Sequence, residues 1–403
     1  MRALVTGLGA VSPFGAGVDA FWRGVCSGGT AIAPLRRLRI AGLETALAAE
    51  VPDDAVDARL SAAEREPLER IDRHALAAAR EALADARLDL TAGDPSRVAL
   101  VVGTTLGAMP IGERYLRARH DGQPFDARRL LGLPYAATAP RLARALGIRG
   151  PVLSPSIACA SGTHAVGLAR ELIATGRADV VIAGGAEALC EFVVAGFACL
   201  RATTATAVRP FDARRDGLAL GEGAALLVVE SEAHAAGRGA RADVEVAGHG
   251  LSSDAVHMTA PARDGASAAR AMRAALADAG LDAGAVDVVS AHGTGTVFND
   301  AMEMAALATV LGARAGTVPV NGIKGAIGHT LAAAGAFEAL LCARILGDGV
   351  VPPTAGCEQL DPACGLDIVR GAHRPLAARV ALSTSSAFAG SNAALVMRLA
   401  SWR

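Results

Sequence analysis

The chain has 403 residues, 52% hydrophobic, 20% charged and 3% aromatic, with a formal net charge of −1. Its length exceeds one simple core, and its near-neutral charge excludes general binding to nucleic-acid phosphates, which needs a basic excess. With so few aromatics, alanine and the 46 glycines must fill the space between layers, as in α/β proteins.

From the start, RALVTG (2–7) reads as a β-strand running into a Gly-rich turn. The segment lacks the apolar h-region and cleavage site of a signal peptide. No uncharged apolar run reaches about 18 residues, so no membrane span is expected. A helix follows over the amphipathic stretch 62–87, then a strand, RVALVVG (97–103). The turn SIACASG (156–162) opens another helix, and ADVVIAGG (178–185) is a strand. GEGAALLVVE (221–230) is a Gly-rich turn opening a strand.

Later come the strand ADVEVAG (242–248), the helix ASAARAMRAALADAG (266–280) and the strand VDVVSAHG (286–293). A helix near 330–346 and the turn-strand GSNAALVMRL (390–399) complete the series. Short apolar strands between helices predict parallel sheets covered on both faces. The order also echoes itself: ALADARLD (82–89) leads into VALVVGTT (98–105), and ALADAGLD (275–282) into VDVVSAHGT (286–294). Two fused α/β halves are expected, 1–235 and 236–403.

Seven cysteines (26, 159, 190, 199, 342, 357 and 364) form no C-x-x-C pair and no even framework, which fits a reducing cytoplasm. Cys159 stands apart, because a helix N-terminus favours a thiolate. His292 directly follows an apolar strand and precedes Gly-Thr-Gly-Thr, while Lys324 and His329 lie in a Gly-rich loop opening an Ala-rich helix. Strand C-terminal ends and helix N-termini are where open α/β sheets place ligands. One thiol and two imidazoles at such ends suit acyl transfer through a thioester, with a second carbonyl held as charge develops on it.

His164, five residues beyond Cys159, would point along a different helix face. Asp300 and Glu303 read as helix-cap and salt-bridge groups, and RPFDARRDG (209–217) as a polar turn network. TGLGAVSPFG has Gly-x-Gly but no third glycine and no acidic residue closing a second strand, so no dinucleotide is expected. No Cys, His or carboxylate cluster has ligand spacing, so no metal is expected.

In order and spacing, ACASG, RPFDARRDGLALGEGAALLVVE, AHGTGT…ND and KGAIGHTLAAAGAFE resemble the β-ketoacyl-acyl carrier protein synthases, from VTGLGAVSPFG to SAFAGSNAALV. The resemblance implies a thiolase fold, two pseudo-twofold halves in five αβαβα layers, and a Cys-His-His site. It implies Cys159 as nucleophile, with His292 and His329 donating to the malonyl thioester carbonyl. Lys324 would stand beside the histidines, held by Glu338. The N–H groups of Cys159 and Phe388 would form the oxyanion hole, with Phe388 as gate, and Thr294 and Thr296 would bind pantetheine.

The implied reaction is a decarboxylative condensation that extends a Cys-bound acyl chain by two carbons. No cofactor is implied, since phosphopantetheine arrives on the acyl carrier protein. Arg70, Arg73, Arg128, Arg129 and Arg201 are candidates for steering that acidic carrier.

Two departures suggest a specialised polyene or polyketide pathway as much as fatty-acid synthesis. The segment between Arg201 and Arg209 is short, and the gating turn reads Ser-Ala-Phe-Ala-Gly (386–390) where the family has glycines. Alanine there should narrow the available backbone angles. A dimer is expected, either homodimeric or with a ketosynthase-like partner. The alternative role, a non-catalytic chain-length-factor subunit, would lack the nucleophilic cysteine. A degradative thiolase would need a second cysteine near the C-terminus, which STSSAFAGSN does not supply.

Overall fold

The computed structural model of the chain describes residues 1–401. Its first half runs β1 (Ala3–Ser12), α1 (Arg70–Asp85), β2 (Val98–Gly103), β3 (Val152–Leu153), α2 (Ser161–Ala174), β4 (Val180–Glu187), α3 (Glu191–Cys199) and β5 (Gly223–Ser231). The second runs β6 (Val244–Ser253), α4 (Ala266–Asp278), β7 (Val288–Ser290), α5 (Val297–Leu311), β8 (Pro319–Asn321), α6 (Ala334–Asp348), β9 (Val380–Ser386) and β10 (Ser391–Leu399).

Both halves share one strand order. From the centre outwards it is β1-β5-β4-β2-β3 in the first and β6-β10-β9-β7-β8 in the second. The echo in the sequence therefore maps α1–β2 onto α4–β7, and the two Gly-rich turn-strands onto β5 and β10. Antiparallel pairing of Leu4 with Glu245 and of Val5 with Val244 joins the halves.

Alternation along each strand builds the layers. Val101 faces a central core with α2 and α6, while Leu100 and Val102 face an outer core with α1. On the far side Val289, Leu382 and Val396 face α4 and α5. The result is the α/β thiolase-like architecture in five layers, with α2 and α6 packed on each other in the middle.

The expectation of parallel sheets holds only for the outer three strands of each half. The pairs β1–β5, β5–β4, β6–β10 and β10–β9 are antiparallel. Apolar runs report burial on both faces and carry no information on direction, which explains the error.

The opening strand also runs on to Ser12, so Gly7 and Gly9 lie inside it. An added Cβ at Gly9 would come within 1.9 Å of the Ala78 carbonyl oxygen, and one at Gly250 within 2.1 Å of that of Ala271. The Gly-x-Gly pattern lets α1 and α4 lie directly on their strands. The helix expected over 62–87 is broken into Ala62–Arg65 and α1, because Pro67 has no N–H with which to continue the first helix. Among the described residues no helix is long and apolar enough to cross a membrane.

Candidate active site

Cys159 sits in a strained turn before α2. Ala158 adopts φ +51°, a left-handed conformation uncommon outside glycine. Ser161 pins it, its Oγ donating to the Ala158 carbonyl at 2.6 Å and accepting the Ile157 N–H at 2.9 Å. The sulfur is buried and lies 3.0 Å from His329 Nε2. Its position differs in one respect from the simple dipole argument. Burial pushes the thiol up to about 12, against the Lys324 ammonium and the Cys159 and Phe388 N–H groups, which pull it down. Desolvation thus works against the helix terminus and favours the thiol form.

His329 is clamped through its backbone, its N–H donating to the Ala219 carbonyl at 2.7 Å and its own carbonyl accepting from Gly221 N–H at 2.9 Å. Leu331 N–H donates to its Nδ1 at 3.2 Å. A ring nitrogen that accepts carries no proton, so the neutral ring is protonated on Nε2, facing the sulfur.

His292 is set the same way. Lys324 Nζ, which can only donate, lies 3.2 Å from His292 Nδ1 and 2.5 Å from the His292 carbonyl oxygen. The two imidazoles meet edge to face, with centroids 5.3 Å apart. Burial first, then Lys324, holds both well below the ordinary imidazole value, so both stay neutral. The site therefore presents two uncharged Nε2–H donors beside one thiol.

Lys324 is wholly buried with Glu338 at 2.5 Å. Ser385 Oγ donates to the other Glu338 oxygen at 3.1 Å and lies 2.7 Å from Thr163 Oγ1 on α2. Burial lifts the Glu338 carboxyl to about 7, with Lys324 and Ser385 opposing.

Asp300 and Glu303 do something that their sequence context did not suggest. Neither makes an ion pair among the described residues. Glu303 accepts the His292 and Gly293 N–H groups at 2.7 and 2.8 Å, and Asp300 those of Thr294 and Phe211 at 3.0 and 2.8 Å. Two buried carboxylates thus hold the backbone after β7 and tie it to the RPFD turn. Their spacing on α5, three residues apart, was the available signal.

Cys159, His292, His329, Thr294, Thr296 and Phe388 all line one cavity of about 290 Å³. The Thr294 and Thr296 hydroxyls lie 2.8 Å apart. Phe388 stacks on Phe197 from α3 at 5.4 Å, a partner that the sequence reading did not single out. Its turn is fixed despite the alanines. Ala389 takes φ +64° and its N–H donates to the Met258 carbonyl at 2.7 Å, so alanine occupies the glycine-like angle instead of avoiding it. His164 stacks on His249 at 5.3 Å, away from the sulfur.

The five arginines do not form one patch. Arg201 is exposed at the mouth of the cavity. Arg70 is instead committed inward, to Glu222, Asp53 and the Val51 carbonyl. Arg73 donates to the Leu68 carbonyl at 3.0 Å. Arg128, paired with Asp126, and Arg129 border a separate hollow with Glu66 and Glu69. With its guanidinium spent on these partners Arg70 is not free to steer a carrier, and Glu222, remote in sequence, gave no local sign of this.

Comparison with known proteins gives matches along almost all of this length. Residues 2–235 match the family model "Beta-ketoacyl synthase, N-terminal domain", and residues 244–358 the corresponding C-terminal domain. Nodulation protein E of Rhizobium meliloti (strain 1021) is 39% identical over 406 residues, covering 98% of this chain and 99% of that one. Among solved structures, the ishigamide ketosynthase/chain length factor superimposes with a TM-score of 0.93 at 36% identity, covering 98% of each chain. A type II PKS acyl-carrier protein in complex with its ketosynthase, AntDE:AntF, gives 0.90 at 31% identity, again covering 98% of each.

Proposed function

The chain belongs to the β-ketoacyl synthase family, and from that premise we propose that Cys159, His292 and His329 carry its condensation. It is a condensing acyltransferase of the 3-oxoacyl-[acyl-carrier-protein] synthase type. Cys159 paired with His329 favours a catalytic subunit over a chain-length-factor subunit. The observation that carries the site assignment is a thiol 3.0 Å from an Nε2–H donor, with a second such imidazole edge-on to the first.

In this reading Cys159 Sγ attacks the acyl-carrier thioester. The thiol proton leaves with the pantetheine sulfur, and the N–H groups of Cys159 and Phe388 stabilise the oxyanion. Malonyl-carrier protein then enters past Thr294 and Thr296. His292 and His329 donate to its thioester carbonyl while the carboxylate departs as carbon dioxide, and the enolate carbon attacks the acyl-Cys159. The acyl group moves to carbon, the Cys159 sulfur departs as a thiolate and takes a proton from solvent to restore the thiol, and a 3-oxoacyl carrier results. Residues 1–235 would supply the nucleophile and 236–403 both histidines.

The carrier protein is proposed to dock by Arg201. A dimer with an identical or ketosynthase-like partner, a cytoplasmic location and a polyketide-type pathway belong to the same proposal. Support for the partner comes from the similar structures that pair a ketosynthase with a chain length factor or an acyl-carrier protein.

Substituting Cys159→Ala tests the assignment. Condensation of acyl- with malonyl-carrier protein should vanish while slow release of carbon dioxide from malonyl-carrier protein persists. Cys159→Ser should leave only a trace of condensation, because a hydroxyl is a far weaker acid and nucleophile than a thiol in the same setting. Full condensation by Cys159→Ala would overturn the mechanism.

A further inference from the structure

One pair of buried hydroxyls has no part in the scheme above. Thr163 on α2 and Ser385 on β9 are 0% and 1% exposed, with their oxygens 2.7 Å apart. Ser385 Oγ also lies 3.1 Å from Glu338 Oε2, while Lys324 Nζ takes Oε1. A carboxylate only accepts, so Ser385 gives its single proton to Glu338. It then accepts from Thr163, whose hydroxyl has no other partner among the described residues. The chain of donors therefore has one direction, from Thr163 to Ser385 to Glu338.

The packing makes room for this contact. Gly335 stands three residues before Glu338 on α6 and so shares its face of the helix. An added Cβ there would come within 1.9 Å of Thr163 Oγ1 and 3.0 Å of Ser385 Oγ. The missing side chain is what admits both hydroxyls between α2, α6 and β9. Thr163 lies four residues beyond Cys159 and Ser385 three before Phe388, so elements that carry the site meet at this chain.

We propose that Thr163 is a positioning residue for His292. Its proton fixes Ser385, Ser385 fixes the Glu338 carboxylate, and Glu338 holds Lys324 Nζ where it reaches both the His292 carbonyl and Nδ1. Hydrogen bonds in such a chain strengthen one another. The inference rests on the reading that His292 works as an Nε2–H donor. Without the Thr163 hydroxyl, Ser385 Oγ loses its donor and turns, the carboxylate is held from one side only, and Lys324 no longer stays on Nδ1.

The test uses full-length protein labelled with ¹⁵N-histidine, with the His292 signals assigned through His292→Ala. The unsubstituted chain should show His292 protonated on Nε2 at neutral pH. Thr163→Val keeps the branched shape and removes the hydroxyl, so its His292 signals should shift to a tautomer mixture. Decarboxylation of malonyl-carrier protein should fall about 5- to 10-fold in kcat, the worth of one ordinary hydrogen bond, with KM little changed. Thr163→Ser should keep the tautomer and, within about 2-fold, the rate.

A Thr163 that served packing alone would weaken every background alike. In Lys324→Met/Glu338→Leu, where the chain ends on nothing, adding Thr163→Val should instead lower the remaining rate by less than about 2-fold. Should Thr163→Val fail to fold, Ser385→Ala interrupts the same chain and gives the same readouts. A folded variant with an unchanged His292 tautomer and rate would overturn the proposal, and so would equal losses in the two backgrounds. The tautomer is read without substrate. Absence of any decarboxylation by the unsubstituted chain would therefore count against the ketosynthase mechanism while Thr163 is still scored.

Discussion

Replacing Lys324 with methionine separates the structural from the chemical work of the buried ion pair. Lys324 is 1% and Glu338 0% exposed, and Lys324 Nζ serves Glu338, the His292 carbonyl and His292 Nδ1 at once. Lys324→Met leaves the Glu338 carboxylate buried with Ser385 as its remaining donor. Breaking a buried pair in this way costs about 3–5 kcal/mol. In the double variant Lys324→Met/Glu338→Leu the orphaned charge is gone, and the residual cost is the unmatched His292 carbonyl, about 1–3 kcal/mol. Stability should therefore largely return, as read by urea unfolding with unchanged m-value.

Activity should not return. With Nδ1 uncapped, His292 no longer offers a fixed Nε2–H, and release of carbon dioxide from malonyl-carrier protein should stay about 100- to 1,000-fold down in both variants. Recovery of activity together with stability in the double variant would refute the claim that Lys324 sets the His292 tautomer.

Other substitutions probe the remaining layers. Gly9→Ala and Gly250→Ala should each destabilise by about 1–3 kcal/mol or more through collision with a helix carbonyl. Gly237→Ala, which meets nothing within 4 Å, should be neutral or slightly stabilising, and equal effects at all three sites would refute the packing argument. His74 is fully buried and burial lowers it to about 4, so its neutral form is favoured on folding and stability falls as pH drops from about 6.5 toward 4. His74→Gln lacks that term and should gain about 2 kcal/mol relative to the unsubstituted chain between pH 7 and pH 5, with a pH-independent difference counting against it. Arg201→Glu should raise KM for acyl-carrier protein while sparing small thioester substrates, and an unchanged KM would remove Arg201 from the docking surface.

Much of this protein was legible in the order of its residues. Apolar runs, Gly-rich turns and the echo of ALADARLD in ALADAGLD marked the strands, the helices and their repetition, because burial periodicity and turn chemistry are local. Cys159, His292, Lys324 and His329 could be singled out for the same reason, since each stands at a strand end or helix start that the sequence announces. What the order of residues could not carry was anything set by contact across the chain. Strand direction, the inward turn of Arg70 toward Glu222 and the stacking of Phe197 on Phe388 all belong to that class. So do the two protonated Nε2 positions, since a tautomer is decided by which donor reaches Nδ1, and those donors, Lys324 and Leu331, become neighbours only in the folded chain. The opposing pull on the thiol's proton was hidden for a related reason: a helix N-terminus is visible in sequence, but the desolvation that works against it exists only once the layers have closed.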